Sequence, residues 1–317
     1  MTSVHPWLIN IVRWFDSDAG LDQLDPTCRR FNLLRVVPFL ALHLGCLLAL
    51  YTGVSLFAAG FALAFFAVRM FAITGFYHRY FSHKTFRTSR GWQFVFAVLG
   101  ASAAQRGPLW WAAHHRHHHQ HSDHPEDLHS PHQGGFWWSH VGWFTCDAAF
   151  HTQQRRVRDW LRYPELVFIN RFDALVPAAF AIAIYALGEA LAAWAPGLST
   201  NGLQLLTWGF FISTVLLFHA TVSINSLSHV WGSRRFDTPD DSRNNFWLAL
   251  ITFGEGWHNN HHRWPQSVRQ GFRWYEIDIT YYGLWLLARL GIIHDLKPVP
   301  DSIRNEARRL DQQRRTP

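Results

Sequence analysis

Three stretches of this chain carry histidines at spacings suited to metal ligation: His78-Arg-Tyr-Phe-Ser-His83, His115-Arg-His-His118-His119 and His258-Asn-Asn-His261-His262. A fourth, Asn225-Ser-Leu-Ser-His229, adds an amide and one more imidazole. Imidazole suits iron, zinc, copper and nickel. Nine such rings are too many for one ion and about right for two. Residues at i, i+3 and i+4 share a helix face. So 115/118/119 and 258/261/262 each turn three rings to one side, and Asn225 and His229 share a face as well. His78 and His83 lie five apart and do not align on a regular α-helix, which predicts a helix end or an irregular turn across Arg79–Ser82. On spacing alone the second stretch has another register, His114/His117/His118.

Apolar runs must carry these ligands. The mean hydropathy of the 317 residues is near zero, but the average hides a segregated sequence. Runs cover residues 33–57 and 58–76, then 174–194 and 203–224, each near the length of about 20 residues that crosses a bilayer. Arg69 is the exception, placed to snorkel or to face the protein interior. The connector 51–60 carries no charge, and 188–202 carries only Glu189. Arg29 and Arg30 precede the first run and Arg35 lies at its start, and the segments carrying the histidines are rich in arginine. The positive-inside rule then places both termini and every histidine stretch in the cytosol. The expected fold is all-α: four transmembrane helices in hairpins at about 33–76 and 174–224, one membrane domain over 1–317, and a helical, histidine-rich cytosolic part at about 77–172 and 225–300. Residues 274–293 are apolar but carry Glu276, Asp278 and Arg289, and read as an interfacial helix. The basic tail 301–317 reads as a solvated helix or a frayed end. The formal charge of +7 follows from this layout and calls for no nucleic acid. Cys28, Cys46 and Cys146 have no C-x-x-C spacing, which argues against a zinc ribbon and structural disulfides.

The pattern H-x4-H, H-x-x-H-H, N-x3-H, H-x-x-H-H, in this order, resembles the membrane-bound fatty-acyl desaturases of the Δ9 type. Gly135-Phe-Trp-Trp-Ser-His-Val-Gly-Trp143 and Gly254-Glu-Gly-Trp-His-Asn-Asn-His-His262 are also similar to segments of that family, and the likeness runs over about 33–275. The family writes its second motif H-R-x-H-H, and only His115 is followed directly by Arg, which favours 115/118/119. The resemblance implies two Fe2+ ions held by His78, His83, His115, His118, His119, Asn225, His229, His258, His261 and His262, with Asn225 acting through a water. It implies O2 as co-substrate and a cis double bond, Δ9 by likeness, in a long-chain acyl substrate. A histidine shell differs from the soluble di-iron carboxylate class, whose metals are held by Glu on a four-helix bundle.

The metals would lie just outside the bilayer, where an acyl chain enters a protein tunnel. Trp111 and Trp143 are candidate walls of it, against the alternative that the 17 tryptophans form an interfacial belt. Ligating imidazoles usually donate their second nitrogen to a carboxylate or carbonyl. Asp123, Glu126, Asp127, Asp147, Asp237 and Glu255 are candidates by proximity in sequence, with Glu255 favoured. His43 and His219 fall inside spans and read as a helix–helix pair. The animal acyl-CoA enzymes carry Arg-Asp where this chain has Ala113-His114, so acyl-CoA, acyl-carrier protein and lipid ester all stay open as the head group. No His-Pro-Gly-Gly haem motif follows the third box. Electrons are therefore expected from a separate donor of ferredoxin, rubredoxin or cytochrome b5 type with its reductase. Two alternatives stand beside the desaturase: a related di-iron membrane hydroxylase or terminal-alkene-forming enzyme, and a non-enzymatic metal carrier, which would need ligands inside the spans.

Overall fold

The computed structural model describes residues 6–25 and 27–314. The chain is mostly helical: α1 (Pro6–Val12), α2 (Leu33–Thr52), α3 (Leu56–Ser82), α4 (Arg90–Ala101), α5 (Pro108–His121), α6 (Pro131–Trp137), α7 (Pro164–Arg171), α8 (Leu175–Trp194), α9 (Gly202–Leu227), α10 (Phe246–Ile251), α11 (His258–Arg263), α12 (Ile279–Arg289) and α13 (Asp301–Gln313). Two short strands, β1 (Arg87–Thr88) and β2 (Ile293–His294), pair antiparallel. Among the described residues, four helices (α2, α3, α8 and α9) are long and apolar enough to cross a membrane. Their outward faces carry bare apolar side chains, with Leu56 95% and Leu50 88% exposed, as lipid contact requires. α12 has 11 residues, about half the length of a span.

The chain folds as two compact units. The first comprises residues 1–70, 97–110 and 144–219. Its core gathers Ala58, Ile184, Leu205 and Phe210, and the Phe61 and Phe65 rings stack at 4.2 Å beside them. Gly53, at φ +61°, closes the α2–α3 turn, and its carbonyl accepts from Trp208 Nε1 at 2.8 Å. Arg69 faces inward and is 1% exposed. Its guanidinium donates to Ser213 Oγ (2.6 Å), Thr214 Oγ1 (2.7 Å) and the carbonyls of Ser102 and Phe65 (both 3.3 Å), so the charge is spread over neutral acceptors. His43 and His219 face each other through Nε2 at 3.0 Å, and His43 Nδ1 bonds the Phe39 carbonyl at 2.8 Å.

The second unit comprises 71–96, 111–143 and 220–317 and holds every histidine stretch named above. The last eleven residues of α3, Ala72–Ser82, wind as a π-helix, whose wider turn bonds residues five apart. The expected break between His78 and His83 is absent. Instead His83 N–H bonds the His78 carbonyl at 3.2 Å and the helix runs through. Tertiary anchors hold this rare winding: Phe76 stacks on Phe96 at 3.8 Å, and the Thr74 and Thr280 hydroxyls bond at 2.7 Å. The C-terminal helix is not simply solvated. Ile303 and Ala307 of α13 bury against Phe236 and Val299, and Asp311 pairs with Arg235 (3.0 Å) and Arg273 (2.6 Å). Residues 315–317 of the tail lie outside the described residues.

Candidate metal centre

Two groups of imidazoles converge inside the second unit. The first comprises His78 and His83 from the π-helix, His115 and His119 from α5, and His261 from α11. Their Nε2 atoms face one another: His83–His115 at 2.7 Å, His261–His119 at 2.9 Å, His78–His261 at 3.0 Å and His83–His78 at 3.1 Å. The second group comprises His118 from α5, His229 just past α9, and His258 and His262 from α11. His229 and His258 meet Nε2 to Nε2 at 3.1 Å. Each H-x-x-H-H stretch therefore divides between the groups. His115 and His119, four apart, go to the first, while His118, a helical third of a turn away, goes to the second. Asn225 lies on α9 one turn before His229 and is half-buried. His114 and His117 belong to neither group: His114 faces Trp143 at 5.8 Å, and His117 Nε2 lies 2.9 Å from the Glu126 carbonyl.

Behind the rings, His118 Nδ1 donates to Asp127 at 2.9 Å, His229 Nδ1 to Asp123 at 2.8 Å, His262 Nδ1 to Asp240 at 2.6 Å, and His78 Nδ1 to Glu255. A proton on Nδ1 leaves Nε2 as a bare lone pair. Lone pairs of several rings thus converge without donors between them, and His262 Nε2 is buried with no hydrogen-bond partner at all. This arrangement fits a borderline cation between the rings, with the carboxylates behind them fixing each ring by its Nδ1 proton.

Desolvation, then repulsion between neighbouring rings, holds His83, His115, His119, His258 and His261 well below the ordinary imidazole value, and desolvation, partly offset by Asp240, brings His262 to about 4. The rings are neutral near pH 7, as metal ligands must be. Desolvation would raise Asp123, Asp127 and Asp240, but the facing imidazoles outweigh it and hold all three below the usual carboxylate range. For the histidines the folded state binds protons later than the unfolded one. Their contribution to stability is full above about 6.5 and is lost as pH falls toward about 4. The unfolding temperature of the metal-free protein should fall through that window. Saturating divalent metal should move the fall to lower pH, because protons and metal compete for the same nitrogens. Thermal scans across pH 4–8 check this, and a profile flat below 6.5 would contradict it.

With this geometry the comparison with known proteins is direct. The sequence profile of the family described as "Fatty acid desaturase" matches residues 25–290. The chain belongs to the fatty acid desaturase family. An sn-2 palmitoyl-lipid 9-desaturase of Nostoc sp. (strain 36) is 38% identical over 68% of this chain and 73% of its own length. Delta-9 acyl-lipid desaturase 1 of Arabidopsis thaliana is 36% identical over 87% of both chains. A chloroplastic palmitoyl-monogalactosyldiacylglycerol delta-7 desaturase, also of Arabidopsis thaliana, is 37% identical over 72% of this chain and 58% of its own. The chain is thus a membrane-bound desaturase, an oxidoreductase of lipid metabolism with Δ9-type enzymes among its relatives.

Several residues of this desaturase escaped the sequence reading. Asp240 was not among the candidate carboxylates, yet it faces His262. Asp147 instead pairs with Arg35 at 3.2 Å, and Asp237 is fully exposed beside Arg234. Glu126 contributes its carbonyl to His117. Glu126–His129 and Glu255–His258 do have Glu-x-x-His spacing, but neither glutamate belongs to a converging group, and Glu255 serves His78 from behind. Arg79 lies within the stretch that the spacing predicts as a turn. It is buried, and its Nη2 binds Glu255 at 3.0 Å and Asp278 at 2.9 Å. Arg116, the residue that favoured the register, donates to the last π-helix carbonyls, Phe81 at 2.7 Å and Ser82 at 2.9 Å. It thereby helps to satisfy carbonyls at a helix end, where intrahelical donors run out. Trp111 stacks on His115 at 5.1 Å, and Trp143 lies 5.0 Å from His129.

The glycines before the last histidine box have steric causes. Gly254 holds φ +122°. A Cβ on Gly256 would lie 2.1 Å from the Ala249 nitrogen and 2.5 Å from the Asn245 carbonyl, both backbone atoms that cannot turn aside. The Gly256 carbonyl also accepts from Asn245 N–H at 2.7 Å, which ties α10 to the start of α11. Gly256→Ala should therefore displace His258 and cost roughly 3 kcal/mol or more of stability, at the top of the overpacking range. Unfolding by denaturant and metal content of the purified variant check it.

Proposed function

We propose that this desaturase introduces a cis double bond at C9 of a C16–C18 acyl chain carried as a lipid ester, using two iron ions in its histidine groups. The single observation that supports this most is the convergence of nine Nε2- or carboxylate-oriented imidazoles into two groups, in the family's motif order. Bound iron would activate O2 for removal of two hydrogens from adjacent methylenes. The balance is one O2, two electrons, two protons and the two abstracted hydrogens, giving one alkene and two waters. The electrons come from a separate carrier of ferredoxin, rubredoxin or cytochrome b5 type.

The chain's own part is positional. The ten proposed ligands are His78, His83, His115, His118, His119, Asn225, His229, His258, His261 and His262. Asp123, Asp127, Asp240 and Glu255 fix four of these rings by accepting their Nδ1 protons. Trp111, packed on His115, and Trp143 would line the acyl path and exclude water. Ala113 is fully buried and His114 mostly so, which places no Arg or Lys there for a CoA group. Together with the lipid substrates in the names of the Nostoc and Arabidopsis 9-desaturases, this supports a lipid-borne acyl group. Expression in a desaturase-deficient host, with mass-spectrometric location of any new double bond, tests the reading. An alcohol or a shortened alkene would favour the hydroxylase or alkene-forming alternative.

Both termini and both histidine groups are proposed to face the cytosol, with the near-uncharged connectors opposite. In a chain freed of its native cysteines, a cysteine at Leu198 should be labelled only from the non-cytosolic side and one at Gln313 only from the cytosol. Labelling of both from one side would remove this topology.

A further inference from the structure

The carboxylates behind the imidazoles are unevenly shared. In the second group three of four rings donate to an aspartate, His118 to the buried Asp127, His262 to the buried Asp240 and His229 to the half-buried Asp123. Among the described residues, no Arg or Lys lies within ion-pair distance of these aspartates. In the first group one ring of five has a carboxylate behind it. That one, Glu255 on His78, is shared with Arg79, which also pairs with Asp278. The group behind His261 is the neutral Gln270, whose Nε2 lies 3.4 Å from His261 Nδ1.

We propose that the two groups are unequal metal sites, and that His118/His229/His258/His262 binds a divalent ion first and more tightly, because no Arg or Lys offsets its aspartates. This rests on reading the groups as metal sites. A carboxylate on Nδ1 makes the imidazole a stronger donor and adds negative charge near the ion, and losing such a partner typically costs 10–100-fold in metal affinity. The fifth ring of the first group acts the other way. It exchanges for a water that the ion would otherwise keep, one neutral ligand for another. Two further unneutralised carboxylates in a buried site outweigh that exchange.

The test uses the full chain in detergent, stripped of metal by a chelator and titrated with Co2+ alone. His83→Ala disables the first group and His258→Ala the second, so each remaining site is read without coupling between them. The site left in His83→Ala should bind at least about tenfold more tightly than the site left in His258→Ala. Asp123→Asn separates charge from orientation. Asn Oδ1 can accept from His229 and from Asp241 N–H, as Asp123 Oδ2 does, and Ser130 Oγ can turn to accept from the new amide. Asp127 offers no such exchange, since it accepts from four donors. Asp123→Asn should weaken the tight phase by roughly 10–100-fold, leaving the weak phase and the metal-free unfolding temperature in place. Equal affinities in the two histidine variants, the reverse order, or unchanged affinity in Asp123→Asn would overturn the proposal. A wild-type chain that binds no Co2+ would instead remove the metal-site reading beneath it.

Discussion

Alanine at any one of His78, His83, His115, His118, His119, His229, His258, His261 or His262 should lower turnover by more than about 100-fold, beyond what loss of an outer partner costs. Bound iron should fall from about two to about one per chain. Each of these rings belongs to one converging group, so each substitution opens one site and leaves the other. His114→Ala and His117→Ala sit on the same helix and remove the same ring. They should keep activity within a few-fold of wild type, because neither ring reaches a group. Iron analysis of purified variants beside an acyl-product assay gives both readouts. Full activity in His119→Ala with loss in His114→Ala would reverse the register of the second box.

The shared face of each H-x-x-H-H stretch was legible because α5 and α11 are helices, on which spacing translates directly into direction; the choice of 115/118/119 over 114/117/118 came only from the Arg that follows His115. The four apolar runs were legible for a similar reason: a bilayer imposes length and uniform hydropathy, and both survive in sequence. Other features were hidden by non-local causes. The five-residue step from His78 to His83 read as a break because a regular helix cannot align it. The π winding depends on Phe96 and Thr280, far along the chain, which no local pattern announces. The division of one histidine box between two sites depends on what faces each ring. His118 and His119 are neighbours in sequence but point to different partners. Asp240 reaches His262 from an irregular loop 22 residues earlier, so proximity in sequence could not single it out. The C-terminal helix shows the same limit. Its charges suggested solvent, while a short stripe of Ile303, Ala307 and Leu310 packs against the core.

The position of the new double bond tests which end of the acyl chain the desaturase measures. Tail burial contributes about 0.8 kcal/mol per methylene, so a sixteen-carbon tail offers on the order of 10 kcal/mol before ordering costs. A head group held by scattered surface arginines adds less, and salt screens it. Affinity therefore comes chiefly from the tail, and each methylene removed should lower kcat/KM by up to about fourfold. Regiochemistry is a separate matter, because it depends on which carbons stop beside the metals and not on how tightly the tail is held. If the ester end is held at the mouth of the proposed acyl path, substrates of 14 to 18 carbons should all give the bond at C9 while their rates diverge. Mass-spectrometric location of the bond across that series checks both halves. A bond that keeps a constant distance from the methyl end would make the closed end of the tunnel the ruler. The C9 assignment would then fail, while the tail-driven affinity would stand.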